Sequence, residues 1–509
     1  MKRSSEIDAI VSWLGKNFPQ ADLFSDSREM AAAENEAVFI AYAASPEERQ
    51  RHIENAIANG AVAIVFEEND FSRDSALTVP HMGVKDLKMQ AGHLAGSYYG
   101  EPSKRMFVAA ITGTNGKTSC SHWIAAALSR QGRKMAAIGT LGIVIFEEGQ
   151  AKSTTEMTLT TPEPVMLQRE LARLAGEGVT GIAIEASSIG IEEGRMNGLD
   201  LDVALFTNLT RDHLDYHHDM ASYEASKRKL FDWPGLKHAV ISLDDETGWK
   251  WAKEISAELP VLGFTTKGKK LDGVPVLSAS DIRSRKSGSQ FYVEGFAGQS
   301  AERNRIVTAL VGEFNVSNTL GVLGVLQTQG LQYKAASAAL SELLPPPGRM
   351  QPLGGQNAPL VVIDYAHTPD ALEKGLEALK TVAKERKGEL WCVFGCGGNR
   401  DRGKRPEMGR VAELADRIIV TSDNPRDEDP QQIIDDILAG MSTPARSIED
   451  RASAILQAVK QASADDVIFL AGKGHETWQE IRGARHRFID AEHVELALRA
   501  FRAIKGDRP

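Results

Sequence analysis

A strand, a glycine-rich turn and a helix follow one another in residues 106–128, and this order restricts the fold more than any other stretch. Met106 to Ile111 is a short apolar run, as expected of a buried parallel strand. Gly113-Thr-Asn-Gly-Lys-Thr118 follows it, and Cys120 to Leu128 is predicted as an amphipathic helix. Such a turn leaves backbone N–H groups without intrahelical partners, and the helix dipole favours negative charge there. The stretch therefore predicts a phosphate site in an α/β fold.

Two side chains of this turn suit a nucleoside triphosphate and its magnesium ion. Lys117 supplies a positive charge for the terminal phosphates, and the Thr118 hydroxyl can bind Mg²⁺. The spacing between Gly113 and Gly116 is shorter than in the usual G-x-x-x-x-G-K-[ST] loop. From the residues alone, the alternative is a glycine turn with an incidental lysine.

The length of the chain and two predicted connector segments indicate three domains. At 509 residues the chain is too long for one core, since domains hold about 150 residues each. Apolar runs alternate with helical patterns along it, which predicts α/β units with parallel sheets. Gly100-Glu-Pro-Ser-Lys104 and Leu344-Pro-Pro-Pro-Gly-Arg-Met350 are predicted as connectors. We therefore expect domains at 1–103, 104–344 and 345–509.

Polar side chains follow the predicted strands of the second segment where each strand ends. Glu185 is followed by Ser187, and Asn208 by Asp212 and His213. Ligands of open α/β sheets bind at this carboxyl edge. Glu185 is therefore a candidate to hold Mg²⁺, directly or through water, because Mg²⁺ prefers a few carboxylates together with phosphate oxygens. A carboxylate that caps the next helix is the alternative for any single acid here.

The third segment repeats the arrangement of an apolar run followed by a polar loop. The loops are Tyr365-Ala-His367, Gly395-Cys-Gly-Gly-Asn-Arg400, Asp423-Asn-Pro-Arg426 and Ala471-Gly-Lys-Gly-His-Glu476. A parallel sheet would bring all of them to one edge.

The composition excludes several classes of protein. The net charge of −10 argues against general nucleic-acid binding, which requires a basic face. No apolar stretch reaches the length of a membrane span and the first residues lack a signal peptide's apolar core, so we expect a cytoplasmic protein without a membrane partner. Cys120, Cys392 and Cys396 are too few and too unevenly placed for a disulfide framework or a zinc site. Nothing demands more than a monomer.

Seven motifs, in this order, resemble those of the Mur ligases of peptidoglycan synthesis. They are Gly113-Thr-Asn-Gly-Lys-Thr118, Thr207-Asn-Leu-Thr-Arg-Asp-His-Leu-Asp-Tyr216, Gly312-Glu-Phe-Asn-Val-Ser-Asn318, Asp364-Tyr-Ala-His-Thr-Pro-Asp370, Gly395-Cys-Gly-Gly-Asn-Arg-Asp401, Asp423-Asn-Pro-Arg426 and Gly472-Lys-Gly-His-Glu476. The similarity spans nearly the whole chain and is weakest over the first hundred residues. It is greatest to the family members that add the third residue of the peptide.

The resemblance implies an α/β protein with three domains: a small N-terminal UDP-binding domain, a central ATP-binding domain with the P-loop on a parallel sheet, and a Rossmann-like domain for the amino acid. It implies an ATP-dependent amide ligase. ATP would phosphorylate the D-glutamate side-chain carboxylate of UDP-N-acetylmuramoyl-L-alanyl-D-glutamate, and the amine of meso-2,6-diaminopimelate would displace the phosphate. Since phosphoryl transfer supplies the leaving group, the protein mainly positions and neutralises charges.

The resemblance also assigns the nucleotide and metal contacts. Those for ATP would be Gly113, Thr114, Asn115, Gly116, Lys117, Thr118, Ser119, Asn315, Arg349 and Asp364. The metal ligands would be Thr118, Glu185, His213 and a carbamylated Lys227, and the catalytic set Lys117, Glu185, His213 and Lys227. From residue type alone, Lys227 would be a solvent-exposed helix lysine. A carbamate would make it an anion able to bind Mg²⁺.

The UDP-linked substrate would contact the first and second segments. The resemblance assigns it Ser27, Thr160, Thr161, Ser187, Glu193 and Arg195. The cluster Ser25-Asp-Ser-Arg28, taken alone, reads as a turn or helix cap. Ile189 and Glu193 stand where relatives often have histidine and glutamine. The loop after Ala41 lacks the usual glycine, so no further uridine contact is assigned.

Charge favours diaminopimelate over lysine as the incoming amino acid, because only diaminopimelate carries a second carboxylate beside its far ammonium. A selective site needs cations for that carboxylate and an acid for that ammonium. Arg426 and Arg400 offer planar bidentate donors, and Glu476 and the Gly472 carbonyl can accept the ammonium. The resemblance adds Asp423, Asn424 and Pro425. Without the other motifs, the alternative is a proline turn with a surface arginine.

Two rival functions remain to be weighed. The first is another ligase of the superfamily, such as folylpolyglutamate synthetase or the ligase that adds D-Ala-D-Ala. The paired motifs at 423–426 and 472–476 argue against both. The second is a nucleotide-dependent switch or motor, which does not need the loops of the third segment.

Overall fold

The structure, a computed structural model, describes residues 4–33, 35–42, 45–68, 77–285, 288–297 and 304–505. The unusual loop after Ala41 includes residues 43 and 44, which lie outside this description. Within the described ranges the strands form a four-, an eleven- and a six-stranded sheet and one hairpin. Each of the three larger sheets takes its strands from a single predicted segment. The α/β class is confirmed.

The first sheet is parallel throughout and small. Its segment contains α1 (Ser5–Asn17), β1 (Asp22–Phe24), β2 (Ala37–Ala41), α2 (Pro46–Ala58), β3 (Ala61–Glu67), β4 (His81–Val84) and α3 (Leu87–Tyr98). The strand order is β1-β2-β3-β4. Gly60 follows α2 with φ +92°, the left-handed conformation that ends a helix and favours glycine.

The second sheet is the largest and has a parallel centre. Its elements are β5 (Phe107–Thr112), α4 (Lys117–Ser129), β6 (Met135–Gly139), β7 (Gly142–Glu147), β8 (Gln150–Thr155), α5 (Pro164–Gly176), β9 (Gly181–Glu185), α6 (Ser188–Glu192), β10 (Val203–Phe206), α7 (Leu214–His217), α8 (Met220–Arg228), β11 (His238–Ser242), α9 (Glu246–Ile255), β12 (Val261–Thr265), β13 (Val276–Arg285), β14 (Gly288–Glu294), β15 (Asn304–Thr308), α10 (Glu313–Thr328) and α11 (Tyr333–Ser341). The order is β15-β14-β13-β12-β11-β10-β5-β9-β6-β7-β8.

Two features of this segment refine the sequence-based expectation. The sheet is parallel only from β6 to β13, because antiparallel hairpins extend it at both edges. The helix expected to be amphipathic, α4, is instead buried on all its faces from Thr118 to Ser129. It lies between the sheet and α10, which covers the side that a surface helix would turn to solvent.

Strand order also explains which loops meet. β5 lies between β9 and β10, with Ile111 opposite Glu185 and Thr112 opposite Phe206. The glycine-rich turn after β5 is therefore flanked by Glu185 on one side and by residues 207–208 on the other.

The third sheet has one antiparallel edge strand and is otherwise parallel. Its segment contains β16 (Gln351–Gly354), β17 (Leu360–Asp364), α12 (Pro369–Arg386), β18 (Leu390–Phe394), α13 (Lys404–Ala412), β19 (Arg417–Val420), α14 (Pro430–Leu438), β20 (Arg446–Ser447), α15 (Arg451–Gln461), β21 (Val467–Ala471), the hairpin β22 (Trp478–Ile481) and β23 (Ala484–Arg487), and α16 (Asp490–Lys505). The order β16-β17-β21-β18-β19-β20 brings the polar loops to one edge. No helix in the described ranges is both long and apolar enough to cross a membrane.

Candidate active site

The glycine-rich turn adopts a conformation that its glycines permit. Gly113 and Gly116 have φ of +146° and +91°. A methyl group at Gly113 would overlap the Thr207 hydroxyl, and one at Gly116 would overlap the Asn318 side chain. Both positions therefore need glycine for space as well as for backbone conformation.

Asn208 holds the beginning of this turn, which the sequence did not predict. Its backbone oxygen accepts from the Thr114 amide at 2.9 Å, and its side-chain oxygen accepts from the Asn115 amide at 3.0 Å. These two amides have no intrahelical partner, as expected, but the neighbouring loop already accepts their hydrogen bonds. The N-terminus of α4 begins at Lys117, three residues earlier than the apolar pattern suggested.

Lys117 and Thr118 face the carboxyl edge of the sheet. Lys117 Nζ donates to the backbone oxygens of Gly113 (2.9 Å) and Thr114 (2.8 Å), and burial lowers the pKa of this amine. The Thr118 hydroxyl donates to Glu185 Oε2 at 3.1 Å and accepts from Arg349 Nη2 at 3.0 Å. Ser119 is buried in the first turn of α4.

Glu185 is fixed by a residue that no sequence motif marked. The Thr140 backbone N–H donates to Glu185 Oε1 at 2.8 Å, and the Thr140 hydroxyl donates to Oε2 at 3.2 Å. A methyl group at Gly139 would overlap this carboxylate. Thr140 follows β6 directly, so only the order β9-β6 could have revealed it.

Lys227 is buried, and the expectation from residue type alone is wrong. The residue is 1% exposed, and its Nζ donates to the Gly113 oxygen at 2.9 Å. Burial and the nearby Lys117 ammonium hold the Lys227 pKa well below its usual value. Nζ also lies 4.5 Å from the centre of the Tyr223 ring. A buried amine with a depressed pKa is uncharged for more of the time, which is the form that reacts with carbon dioxide.

His213 lies at the solvent side of the same edge. Its backbone has φ +54°, and its Nε2 is 3.4 Å from Asp212 Oδ2. Among the described residues, no three His, Cys, Asp or Glu side chains are grouped closely enough to hold a metal. The hydroxyl and carboxylate pair of Thr118 and Glu185 fits Mg²⁺, which takes few protein ligands when phosphate oxygens complete its shell.

Two polar contacts join this loop to the connector and to the start of α12, and a third joins the connector to the third sheet. Besides the Arg349–Thr118 bond, Asn115 Nδ2 donates to Asp370 Oδ2 at 3.1 Å. Asp364 Oδ2 accepts from the Met350 amide at 2.7 Å, and burial raises the pKa of this carboxyl to about 6. The structure therefore brings the phosphate loop, Arg349 and Asp364 together.

Asn315 belongs to α10, on the other side of α4. Its side-chain amide donates to the Val311 oxygen at 2.8 Å, and the residue is buried. Asn318, one turn further along α10, packs against Gly116. Asn315 is thus connected to the phosphate loop through α10, because Asn318 of the same helix contacts the loop.

The residues assigned to the sugar-peptide form a second cluster beside Glu185. The Thr161 hydroxyl donates to the Glu185 backbone oxygen and lies 2.8 Å from the Ser187 hydroxyl. Arg195 donates to the Thr161 oxygen at 3.2 Å and pairs with Glu193 at 2.5 Å, so the unusual glutamate neutralises this arginine.

Two further members of that set lie at its margins. The Thr160 hydroxyl is 3.3 Å from that of Thr140. Ser27 lies apart, in a turn of the first segment, where its backbone oxygen accepts from Asn59. Tyr42 bridges towards the cluster, because its hydroxyl donates to Glu163 Oε2 at 3.2 Å.

The loops at 423–426 and 472–476 interlock at the edge of the third sheet. Asn424 Nδ2 donates to Glu476 Oε2 at 2.8 Å, and Asp423 lies against Gly472, whose φ is +116°. Burial and Asp423 raise the Glu476 pKa. Pro425 lies between Asn424 and Arg426, where its backbone oxygen packs against Gly398.

The two arginines predicted for a carboxylate lie around Gly397. A methyl group there would meet Arg426 Nη1 and Arg400 Cγ. Arg426 Nη1 donates to the Gly398 oxygen at 2.8 Å, and its Nε is 3.5 Å from Glu480 Oε2. Arg400 is more exposed, with its guanidinium 3.9 Å from Asp215 of the second segment.

Lys473 was missed as a site residue although it lies inside a recognised motif. It is fully buried, and its Nζ donates to Asn424, Glu476 and the Trp478 oxygen. The sequence signal was a lysine between two glycines, which predicts neither burial nor partners.

A three-sheet α/β protein with a phosphate loop on one sheet, joined to the loop edge of another, has the architecture of a Mur-type ligase. The chain belongs to the Mur ligase family: its residues 111–326 match the Mur ligase middle domain and 348–474 the Mur ligase glutamate ligase domain. The resemblance found in the motifs is confirmed.

Two proteins and two solved structures that this chain resembles are also Mur ligases. The UDP-N-acetylmuramoyl-L-alanyl-D-glutamate–2,6-diaminopimelate ligase of Janthinobacterium sp. strain Marseille is 51% identical over 501 residues, 97% of each chain. The ligase of the same name from Ralstonia nicotianae is 45% identical over 510 residues, 98% of this chain and 97% of that one. A solved structure of a ligase of this name is 36% identical, with a TM-score of 0.62 and 94% of each chain covered. The MurF ligase of Thermotoga maritima, solved with ADP, shares the fold alone, at 16% identity and a TM-score of 0.66 over 96% of this chain and 99% of that one.

Proposed function

We propose that this protein is an ATP-dependent ligase that adds meso-2,6-diaminopimelate to UDP-N-acetylmuramoyl-L-alanyl-D-glutamate. The observation that carries the proposal is the junction of two sites. The phosphate loop contacts Arg349 and Asp370, and the interlocked loops at 423–426 and 472–476 lie at the same edge as Asp364. The relatives that this chain matches over nearly their whole length are named for these substrates, which supports the choice.

The first step is phosphoryl transfer to the D-glutamate side chain. A carboxylate oxygen attacks the γ-phosphorus of ATP, and the bond to the β-phosphate oxygen breaks to release ADP. Lys117 and Arg349, both beside Thr118, neutralise the phosphate oxygens as charge develops. Lys117 now donates to two backbone oxygens, which phosphate would replace as stronger acceptors.

Mg²⁺ would be held by Thr118, Glu185, His213 and carbamylated Lys227, and it would neutralise phosphate charge when bound. Carbamylation joins the free Lys227 amine to carbon dioxide and releases one proton. The product is an anion buried beside Lys117, whose positive charge would stabilise it. Thr140 keeps the Glu185 carboxylate turned towards Thr118.

The second step joins the amino acid. The unprotonated amine of diaminopimelate attacks the acyl carbon, phosphate leaves with the electrons of the acyl–oxygen bond, and a proton passes to solvent. At the far end of the substrate, Arg426 and Arg400 would bind the second carboxylate, while Glu476 and the Gly472 oxygen would accept the ammonium. Burial of Glu476 next to Asn424 strengthens this contact, because fewer water molecules compete for it.

The UDP-linked substrate would lie along the cluster beside Glu185. Thr160, Thr161, Ser187 and Arg195 would contact its sugar and peptide, and Ser27 its uridine side. Glu193 would be displaced from Arg195 by an anionic group of the substrate. We further propose domain boundaries at 103 and 344, action as a monomer, and a cytoplasmic site of reaction.

The test is release of phosphate from ATP with each substrate omitted in turn. We expect release only when both the UDP-linked dipeptide and diaminopimelate are present. Hydrolysis that needs neither would favour a nucleotide switch. Release with the UDP-linked diaminopimelate tripeptide and D-Ala-D-Ala, or with a folate and glutamate, would favour one of the rival ligases.

A further inference from the structure

Lys473 is a fully buried cation that joins its own loop, 472–476, to the loop at 423–426 and to the first residue of β22. Its Nζ donates to Asn424 Oδ1 at 3.1 Å, to Glu476 Oε2 at 2.8 Å and to the Trp478 backbone oxygen at 2.6 Å. Its side chain is 0% exposed. An ammonium has three donors, and these three contacts use all of them.

The same contacts fix the orientation of Asn424 and Glu476. Asn424 Oδ1 also accepts from the Glu480 amide at 3.0 Å, so its Nδ2 is directed at Glu476 Oε2, 2.8 Å away. Both Lys473 and Asn424 use Oε2 of Glu476. Neither bond uses Oε1, the oxygen that an incoming ammonium would meet.

We infer that Lys473 is a positioning residue for the amino-acid site, which holds Glu476 ionised and directs its second oxygen at the ammonium of the substrate. The inference rests on the proposed function for the identity of the substrate, whereas the effect of Lys473 on the charge of Glu476 does not depend on that function. A buried carboxylate without a cationic partner is costly and takes up a proton instead. Lys473 is the cation in direct contact with Glu476.

The charges around Glu476 work in opposite directions. Burial and Asp423 raise its pKa, and Lys473 lowers it. Two further groups interact with the charge of Glu476. They are the Tyr365 hydroxyl and the Arg451 guanidinium, which pairs with Asp490 at 2.7 Å and donates to the Ala471 oxygen at 3.1 Å. Removing Lys473 takes away a charge and a hydrogen bond that favour the ionised acid. Burial and Asp423 still favour the protonated acid, and the hydrogen bond from Asn424 still favours the ionised one, so the pKa of Glu476 should rise. As the pH falls, Glu476 takes up a proton and loses its charge. Binding that needs ionised Glu476 should therefore be lost at a higher pH in the variant without Lys473 than in the protein with it.

The first experiment is independent of the reaction. Carboxyl ¹³C resonances of glutamate-labelled protein are titrated, and Glu476 is assigned by difference against Glu476→Gln. We expect the Glu476 pKa to be higher in Lys473→Met than in the original protein. An unchanged pKa would overturn the inference. Lys380→Met, which removes an exposed lysine bonded to the Leu414 oxygen, is the matched control and should leave that pKa unchanged.

The second experiment is a double-mutant cycle on the KM for diaminopimelate. Lys473→Met should raise this KM by about tenfold or more, the usual cost of removing one partner of a buried charged pair, and leave the KM for ATP within about twofold. Adding Lys473→Met to Glu476→Gln should change the KM little, because the lysine acts through the glutamate. Fully additive effects would overturn the inference.

Two controls distinguish a loss of Glu476 positioning from a general loss of folding or activity. Lys473→Arg keeps the charge and should restore part of the affinity, whereas a KM as high as that of Lys473→Met would contradict a role for charge. Thermal unfolding shows whether Lys473→Met folds. If it does not, the ¹³C titration of Lys473→Arg tests the inference instead: a Glu476 pKa as low as in the original protein supports it, and a higher pKa contradicts it. If the original protein does not consume diaminopimelate, the proposed function fails, and the titration still decides the role of Lys473.

Discussion

Arg426→Ala should abolish the preference for diaminopimelate over lysine. The Arg426 side chain is 20% exposed and its Nη1 donates to the Gly398 oxygen at 2.8 Å, so the guanidinium is held in place before substrate binds. Two charge-assisted hydrogen bonds to a carboxylate contribute roughly 1.5–3 kcal/mol each. Their loss, roughly 3–6 kcal/mol together, corresponds to about a hundredfold to about twenty thousandfold in kcat/KM for diaminopimelate, at about 1.4 kcal/mol per tenfold.

Lysine has no second carboxylate, so the same change should alter its kcat/KM little. The assay measures ADP formation with each amino acid for the original protein, Arg426→Ala and Arg426→Lys. Arg426→Lys should fall between the other two, because it keeps the charge but loses the planar pair of donors. Arg417→Ala removes an exposed arginine of the same sheet, paired with Glu389, and should change neither rate. Undiminished use of diaminopimelate by Arg426→Ala would refute the selector role.

Three further perturbations test the other half of the site. Lys227→Met should reduce kcat by at least about a hundredfold if its carbamate is a metal ligand, and removal of carbon dioxide from the buffer should inactivate the original protein reversibly; full activity without carbon dioxide would exclude the carbamate. Gly139→Ala should displace Glu185 and raise the Mg²⁺ concentration for half-maximal activity by roughly 10- to 100-fold, whereas Gly176→Ala, where a methyl group meets nothing within 4 Å, should not. The KM for ATP should rise as the pH falls below about 6, where Asp364, which we propose as an ATP contact, takes up a proton and becomes a weaker acceptor for the nucleotide's hydroxyl groups. Asp364→Asn should remove this rise, and an unchanged pH profile would contradict the assignment.

The strands could be predicted closely because apolar runs bounded by glycine and polar residues leave few alternatives. The apolar run from Met106 to Ile111 predicted a strand that the structure has at Phe107–Thr112, one residue later. The position of Glu185 beside the phosphate loop also followed, since parallel strands end at one edge and β9 is adjacent to β5.

Contacts between separate elements could not be predicted in the same way. Lys227 lies in a polar helical stretch, and its burial arises because α8 packs on α6 and the loop at Gly113. Thr140 carries no local pattern, and its contact with Glu185 depends on the pairing of β6 with β9. Asp370 and Lys473 each lie inside a recognised motif, but their partners Asn115 and Asn424 come from distant parts of the chain.

The most direct test of the central claim is a competition between equal concentrations of diaminopimelate and lysine, with UDP-N-acetylmuramoyl-L-alanyl-D-glutamate, ATP and Mg²⁺. Mass spectrometry of the UDP-linked product identifies the amino acid that has been added. We expect one dominant product, the diaminopimelate tripeptide, formed in equal amount to ADP. A lysine tripeptide in comparable amount, or ADP formed without any tripeptide, would contradict it.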